Sequence, residues 1–180
     1  MSAREIQGVH RVYLRHEIMQ TLAEYCEQNN KMQEAAFFYE RSGDFDKESG
    51  NYVRAAEIYE SLGNFEEAES SYCLAMRWHD RARMMEKAGK EEVALIEYMR
   101  LHDADSVERI FQRKKIKDKR DTYRSLLYEA HAMNEDDFMI NLGERLGLLK
   151  TAAAIYRILE NETYRSQVLH RINTLKITAA

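Results

Sequence analysis

The sequence predicts an all-α chain, a right-handed α-solenoid of antiparallel helical hairpins with about eleven helices. Three observations lead there. None of the 180 residues is proline, where average usage would place roughly nine, and proline is the residue that breaks helix interiors and marks turns. Ala, Leu, Glu, Arg, Lys and Met, the good helix formers, dominate the composition. A glycine-centred pattern recurs between segments that each read as helix.

In chain order, helices are expected near 3–28, 31–42, 45–62, 65–76, 79–88, 90–101, 104–114, 118–133, 135–146, 148–159 and 162–174. The first has Val9, Val12, Tyr13, Ile18, Leu22 and Tyr25 at roughly helical spacing, which predicts an N-terminal cap packed on the stack. The hairpins show best in four aligned segments, YERSGDFDKESGNY (39–52), YESLGNFEEAESSY (59–72), MEKAGKEEVALIEY (85–98) and GERLGLLKTAAAIY (143–156). Each has Glu three residues before a glycine (Glu40, Glu60, Glu86, Glu144) and Tyr nine after it (Tyr52, Tyr72, Tyr98, Tyr156). Ala68, Ala94 and Ala152 follow the glycine by five, and Ala36, Ala56 and Ala82 precede it by seven. Gly43, Gly63, Gly89 and Gly147 are therefore expected to end helices in the left-handed conformation that glycine takes without steric cost. Asp44 or Asn64 would cap the next helix, with Glu67 in capping-box position to Asn64. Asp103 or Asp105, Asn134 with Asp137, and Asn161 are the later candidate caps. Phe45, Phe65 and Leu149, two after the glycine, should share a buried face with the tyrosines. Such hairpins cannot bury an apolar stripe alone, so successive ones must stack.

These columns resemble the tetratricopeptide repeat, which has a small residue in its first helix, glycine at the turn, an aromatic two later, alanine five later and an aromatic nine later. The resemblance is direct at 32–76 and 78–98, weaker at 136–159, and places Trp78 where the family often has its first-helix tryptophan. Glycine steps of 20, 26 and 58 residues depart from the family's 34, as does the missing proline. In that irregularity the chain looks like the short-helix repeat tails of vesicle-coat and intraflagellar-transport scaffolds. One domain over 1–180 is expected, with a capping helix at 1–30, the best-matched repeats at 31–103, degenerate repeats with a basic belt at 104–134, and a last repeat and cap at 135–180.

The formal net charge of −4 argues against nucleic acid as the main partner, but its distribution is uneven. Between residues 34 and 69, ten carboxylates face three bases; between 109 and 124, eight bases face Asp118 and Asp121. Cys26 and Cys73 are too few for a disulfide framework and sit among apolar neighbours, so buried, reduced thiols are expected. With an N-terminus that lacks an apolar signal core, they point to the cytoplasm, and no window is apolar enough to span a membrane.

No catalytic, cofactor or metal constellation stands out. The glycines never cluster as a phosphate loop, the histidines lack metal-ligand spacing, and His79 beside Asp80 in WHDRAR cannot face it on a helix. A non-catalytic interaction or scaffold module is the expectation. The resemblance implies that Glu40, Glu60, Glu86 and Glu144 line a concave groove as an acidic ladder, with Glu57 and Arg83 as exposed neighbours, fit for a basic or amphipathic peptide or partner protein. Against this stands pairing of each Glu with a nearby base such as Arg41, Lys87 or Arg145. Family members that clamp a C-terminal carboxylate use Lys and Asn in the groove; here the matching positions hold Gln33, Val53, His79, Asp137, Phe37, Glu57, Arg83 and Asn141, which argues against such ligands. Self-association or membership of a larger complex is also expected, because repeat ends expose apolar faces. The alternative is an adaptor docking on nucleic acid or acidic membrane through RKKIKDKR, with Arg113, Lys114, Lys115, Lys117, Lys119 and Arg120. Aromatics do not interleave with that run, which weakens base stacking as its mode.

Overall fold

The computed structural model describes residues 3–43 and 49–178, without the side chains of 3–14, 49, 116, 177 and 178. The described residues form eleven helices and no strand: α1 (Ala3–Gln28), α2 (Met32–Ser42), α3 (Ser49–Ser61), α4 (Phe65–Leu74), α5 (Trp78–Lys87), α6 (Glu91–Arg100), α7 (Ala104–Gln112), α8 (Ile116–Met133), α9 (Asp136–Arg145), α10 (Leu149–Ile158) and α11 (Glu162–Thr178). All eleven expected helices are present. Among the described residues, no helix is long and apolar enough to cross a membrane.

The chain divides into two compact units, Met1–Lys90 and Glu91–Ala180. In the first, each of α2 to α5 packs on the helix before it. Its core interleaves small and aromatic side chains: Ala35 and Ala36 of α2, Ala55 and Ala56 of α3 and Ala68 of α4 are fully buried among Tyr39, Tyr59 and Tyr72. Alanine columns let the helix backbones approach, and the rings fill what remains. In the second unit, α6 packs on α7 and α8, and α10 on α8, α9 and α11. Larger side chains do the filling there, Tyr123, Tyr156, Phe111, Leu127 and Met139 being almost fully buried. The expected Ala and Tyr columns are core in both units.

The joints are more regular than the glycines suggested. Left-handed backbone occurs at Gly63, Met76, Gly89 and His102, and again at Asn134, Gly147 and Glu160. Within each run the spacing is 13 residues, one ten-residue helix and its turn. Glycine marks only every second joint, so the glycine spacings concealed the shorter step. Each joint closes the same way. The amide after the left-handed residue bonds the carbonyl five residues back, from Asn64 to Tyr59, Arg77 to Tyr72, Asp103 to Tyr98 and Asn161 to Tyr156, all at 2.9 Å. This six-to-one closure satisfies carbonyls that a helix end leaves unpaired. Gly50 lies inside α3 and is no joint.

Four expectations change. Gly43 is extended, φ −65° and ψ 138°, not left-handed; it is small because a Cβ there would lie 2.4 Å from the Tyr52 ring, whose hydroxyl donates to the Gly43 carbonyl at 2.9 Å. Asn64 makes no side-chain cap bond to α4, while Asp103 accepts from the Ser106 amide at 3.0 Å and Asn161 from the Tyr164 amide at 3.2 Å, as expected. Ile18, Leu22 and Tyr25 are exposed, not packed on the stack, because α1 turns its Ala23 and Cys26 face inward. Of the two free thiols, Cys26 is buried and Cys73 only half-buried. Asp44 and Phe45 lie outside the described residues, as do the side chains of Val9, Val12 and Tyr13.

Candidate partner-binding site

The Glu column lies where consecutive helices meet, and its members have different surroundings. Glu60, near the end of α3, accepts from Arg83 at both carboxylate oxygens, from Lys87 Nζ at 2.8 Å and from the Tyr72 hydroxyl at 3.2 Å. The Arg83 guanidinium, chiefly, holds its pKa down to about 2. Arg83 also donates to Asp80 at 3.1 Å, and Asp80 pairs in turn with Arg77, so α3, α4 and α5 share one charged network. Glu27 repeats the motif two joints upstream, between Arg54 and the Tyr39 hydroxyl, and belongs to the same column, unnoticed in the sequence because its joint residue is Asn30. Glu57 is exposed and pairs with Arg54 at 3.1 Å. Glu86 is half-buried and engaged. Glu144, in the second unit, is exposed and takes Arg171 at 3.0 Å.

Glu40 differs. It is half-buried, and desolvation, the largest influence, raises its pKa. Arg41 and Ser71 offset this in part, and Glu67 adds to it. Ser71 is itself fully buried. Glu40 also forms no ion pair among the described residues.

Beside Glu40 opens a cleft of about 620 Å³, lined by Gln33, Glu34, Phe37 and Phe38 of α2, Tyr59 of α3, and Asn64 and Glu67 at the start of α4. The helix period explains it. Ala35, Ala36 and Tyr39 take the inward face of α2, so Glu34 and Phe37 turn outward, with Phe37 44% exposed. Phe37 and Phe38 meet edge to face at 5.5 Å, and the Arg41 guanidinium lies 5.0 Å from the Phe37 ring centre. Glu34 and Glu67 stand in the first turns of α2 and α4, where the helix dipole favours a carboxylate. Neither pairs with a base among the described residues. Glu40 and Glu67 both raise the pKa of Tyr59, behind the larger effect of burial. Asn64, whose side chain does not cap α4, also lines this cleft. Of the groove positions read from the sequence, Gln33 and Phe37 meet here; Phe38, Glu34 and Glu67 gave no column signal.

The basic belt sits at the junction of α7 and α8. Lys115 is the N-cap of α8, Arg113, Lys115, Lys117 and Arg120 are exposed, Lys119 is half-buried, and Lys114 bonds Glu91 at 3.1 Å. Also in the second unit, Asp136 is buried at the start of α9, accepting from the Tyr156 hydroxyl at 2.8 Å and from His131 Nδ1 at 3.0 Å. It ties α8, α9 and α10 together. Among the described residues, no three metal-ligating side chains converge.

The Tetratricopeptide repeat family matches residues 49–79, from the first turn of α3 into the start of α5. No curated protein and no solved structure matches the chain.

Proposed function

We propose that this tetratricopeptide-like helical-repeat chain is a non-catalytic protein-interaction module that binds a basic or amphipathic segment of a partner protein on the acidic surface of its first unit. Repeats of this kind mediate contacts between proteins. One observation carries the choice of partner chemistry. The cleft between α2 and α4 joins the exposed Phe37 ring to Glu34 and Glu67, which pair with no base among the described residues, whereas Glu60 and Arg83 largely neutralise each other. Glu40, Glu57 and Glu86 are proposed to extend the contact in this unit, Glu60 and Arg83 to hold the helices that present it, and Glu144 to make a separate contact in the second unit. Cytoplasmic location and a scaffold role in transport assemblies belong to the same proposal.

Capture from cell lysate tests it, comparing the wild-type chain with a variant carrying Glu40→Gln, Glu57→Gln, Glu86→Gln and Glu144→Gln. Glu60 is left intact because it is bound into the fold. Loss of partners that carry basic segments is expected. An unchanged set of partners would refute an acidic contact surface and move attention to residues 113–120.

A further inference from the structure

We infer that the cleft between α2 and α4 is a socket for a single arginine side chain of the partner, stacked on Phe37 and clamped by Glu34 and Glu67. This rests on the basic-partner proposal and names the group that anchors it. The lining holds two chemical features that together suit few ligands. Its aromatic walls favour a flat or apolar group, and aromatic faces attract cations. Its rim carboxylates reject anions, and an apolar residue entering between them would strip their water with nothing in return. A guanidinium meets both demands, because it is planar, weakly hydrated, permanently charged and able to bond a carboxylate through paired N–H groups. An ammonium meets only the second.

The charge balance points the same way. Among the described residues, Glu34, Glu40 and Glu67 gather around the cleft against one guanidinium, that of Arg41. Arg41 also shows what Phe37 accepts, since its guanidinium already lies over that ring at 5.0 Å. At about 620 Å³ the cleft falls in the range of roughly 300–1,000 Å³ typical of ligand pockets. An arriving cation would also favour the ionised form of Glu40, so binding should release protons near the pH at which that carboxyl titrates.

The test uses the full chain, isotope-labelled for NMR, and an N-acetylated, C-amidated Ser-Gly-Arg-Gly-Ser peptide. The peptide is expected to shift the amides of Phe37, Tyr59 and Glu67 and to show upfield arginine side-chain protons, the mark of ring stacking. Citrulline in place of arginine should abolish both effects. Glu34→Gln with Glu67→Gln, or Phe37→Ala alone, should weaken binding by about tenfold or more. These are surface positions, and unchanged chemical shifts elsewhere will show that the fold is kept. Equal binding of the arginine and citrulline peptides, or no effect of the rim variants, would overturn the socket. Shifts confined to Glu57 and Glu86 would overturn it while leaving the basic-partner proposal standing. An unperturbed spectrum, with unchanged lysate capture by the Gln variant, would remove both. A dimer in sedimentation that Lys114→Glu, Lys115→Glu and Lys117→Glu dissolves, and that competes with the peptide, would give the cleft to a second copy of this chain and overturn the assignment to a separate partner.

Discussion

Two glutamates in the same sequence column should respond oppositely to loss of charge. Glu60 has a folded-state pKa below its unfolded value, so its stabilisation is fully present above the unfolded pKa of about 4.3 and is lost as pH falls toward about 2. Glu60→Gln is therefore expected to lower stability at pH 7 by about 1–2 kcal/mol, after allowance for its partial exposure, with the loss vanishing in acid. Glu40 has its pKa raised by burial, so its ionised form costs stability at neutral pH and the cost is relieved as pH falls through the raised value. Glu40→Gln should leave the protein as stable or more so at pH 7, and the two variants should converge at low pH. Urea titrations at pH 7 and at about pH 2, where Glu60 has titrated, separate the cases. Equal destabilisation by both would contradict this account. The glycines also divide by cause. Gly43→Ala and Gly143→Ala are expected to destabilise by about 1–3 kcal/mol, because a Cβ would strike Tyr52 in one case and the Tyr123 hydroxyl, 2.3 Å away, in the other. Gly50→Ala meets nothing within 4 Å and should stabilise α3 by roughly 0.5–1 kcal/mol. Denaturant midpoints for the three variants check this ordering.

At the scale of the helix, the joints and the ties between helices carry the predictions. Met76, His102 and Glu160 hold left-handed backbone without being glycine, a conformation that costs an ordinary residue about 1 kcal/mol or more. Each should gain roughly 0.5–1 kcal/mol on substitution by glycine, after the larger chain entropy of glycine is set against the relief. Thermal melts of Met76→Gly, His102→Gly and Glu160→Gly would show it, and destabilisation by all three would mean that the joints bear no strain. Asp136→Ala strands the Tyr156 hydroxyl in the core and removes the acceptor that positions His131. A loss of about 1–3 kcal/mol is expected, seen as a lower urea midpoint. The helices themselves were legible, because their formers, apolar periods and two of their caps, Asp103 and Asn161, act locally. The 13-residue step was not. At half the joints six-to-one closure, not residue type, stabilises the turn, and Met76 or Glu160 looks like any helical residue in one dimension.

Across the molecule, charge decides between the two docking modes. The basic belt is exposed at Arg113, Lys115, Lys117 and Arg120 and lies in a different unit from the aromatic cleft. Lys114→Glu, Lys115→Glu and Lys117→Glu should abolish whatever salt-sensitive retention the chain has on heparin while leaving capture of basic partners intact. Loss of both together would favour the belt as the working surface. Of the candidate site, the acidity of 34–69 and the groove positions Gln33 and Phe37 could be read from the sequence. The engagement of Glu60 by Arg83 and Lys87, 23 and 27 residues away, could not, because such pairs exist only once the hairpins fold. The uniform step bears on which changes in length this chain can absorb. A duplication of one step adds a helix and reverses the direction in which every later segment runs, whereas two steps restore it. Insertions that are not whole steps would rotate each following inward column toward solvent. Related chains should therefore differ in length by multiples of 26 residues within each regular run, and tolerate odd lengths chiefly where the rhythm is already interrupted, at the 18-residue α8.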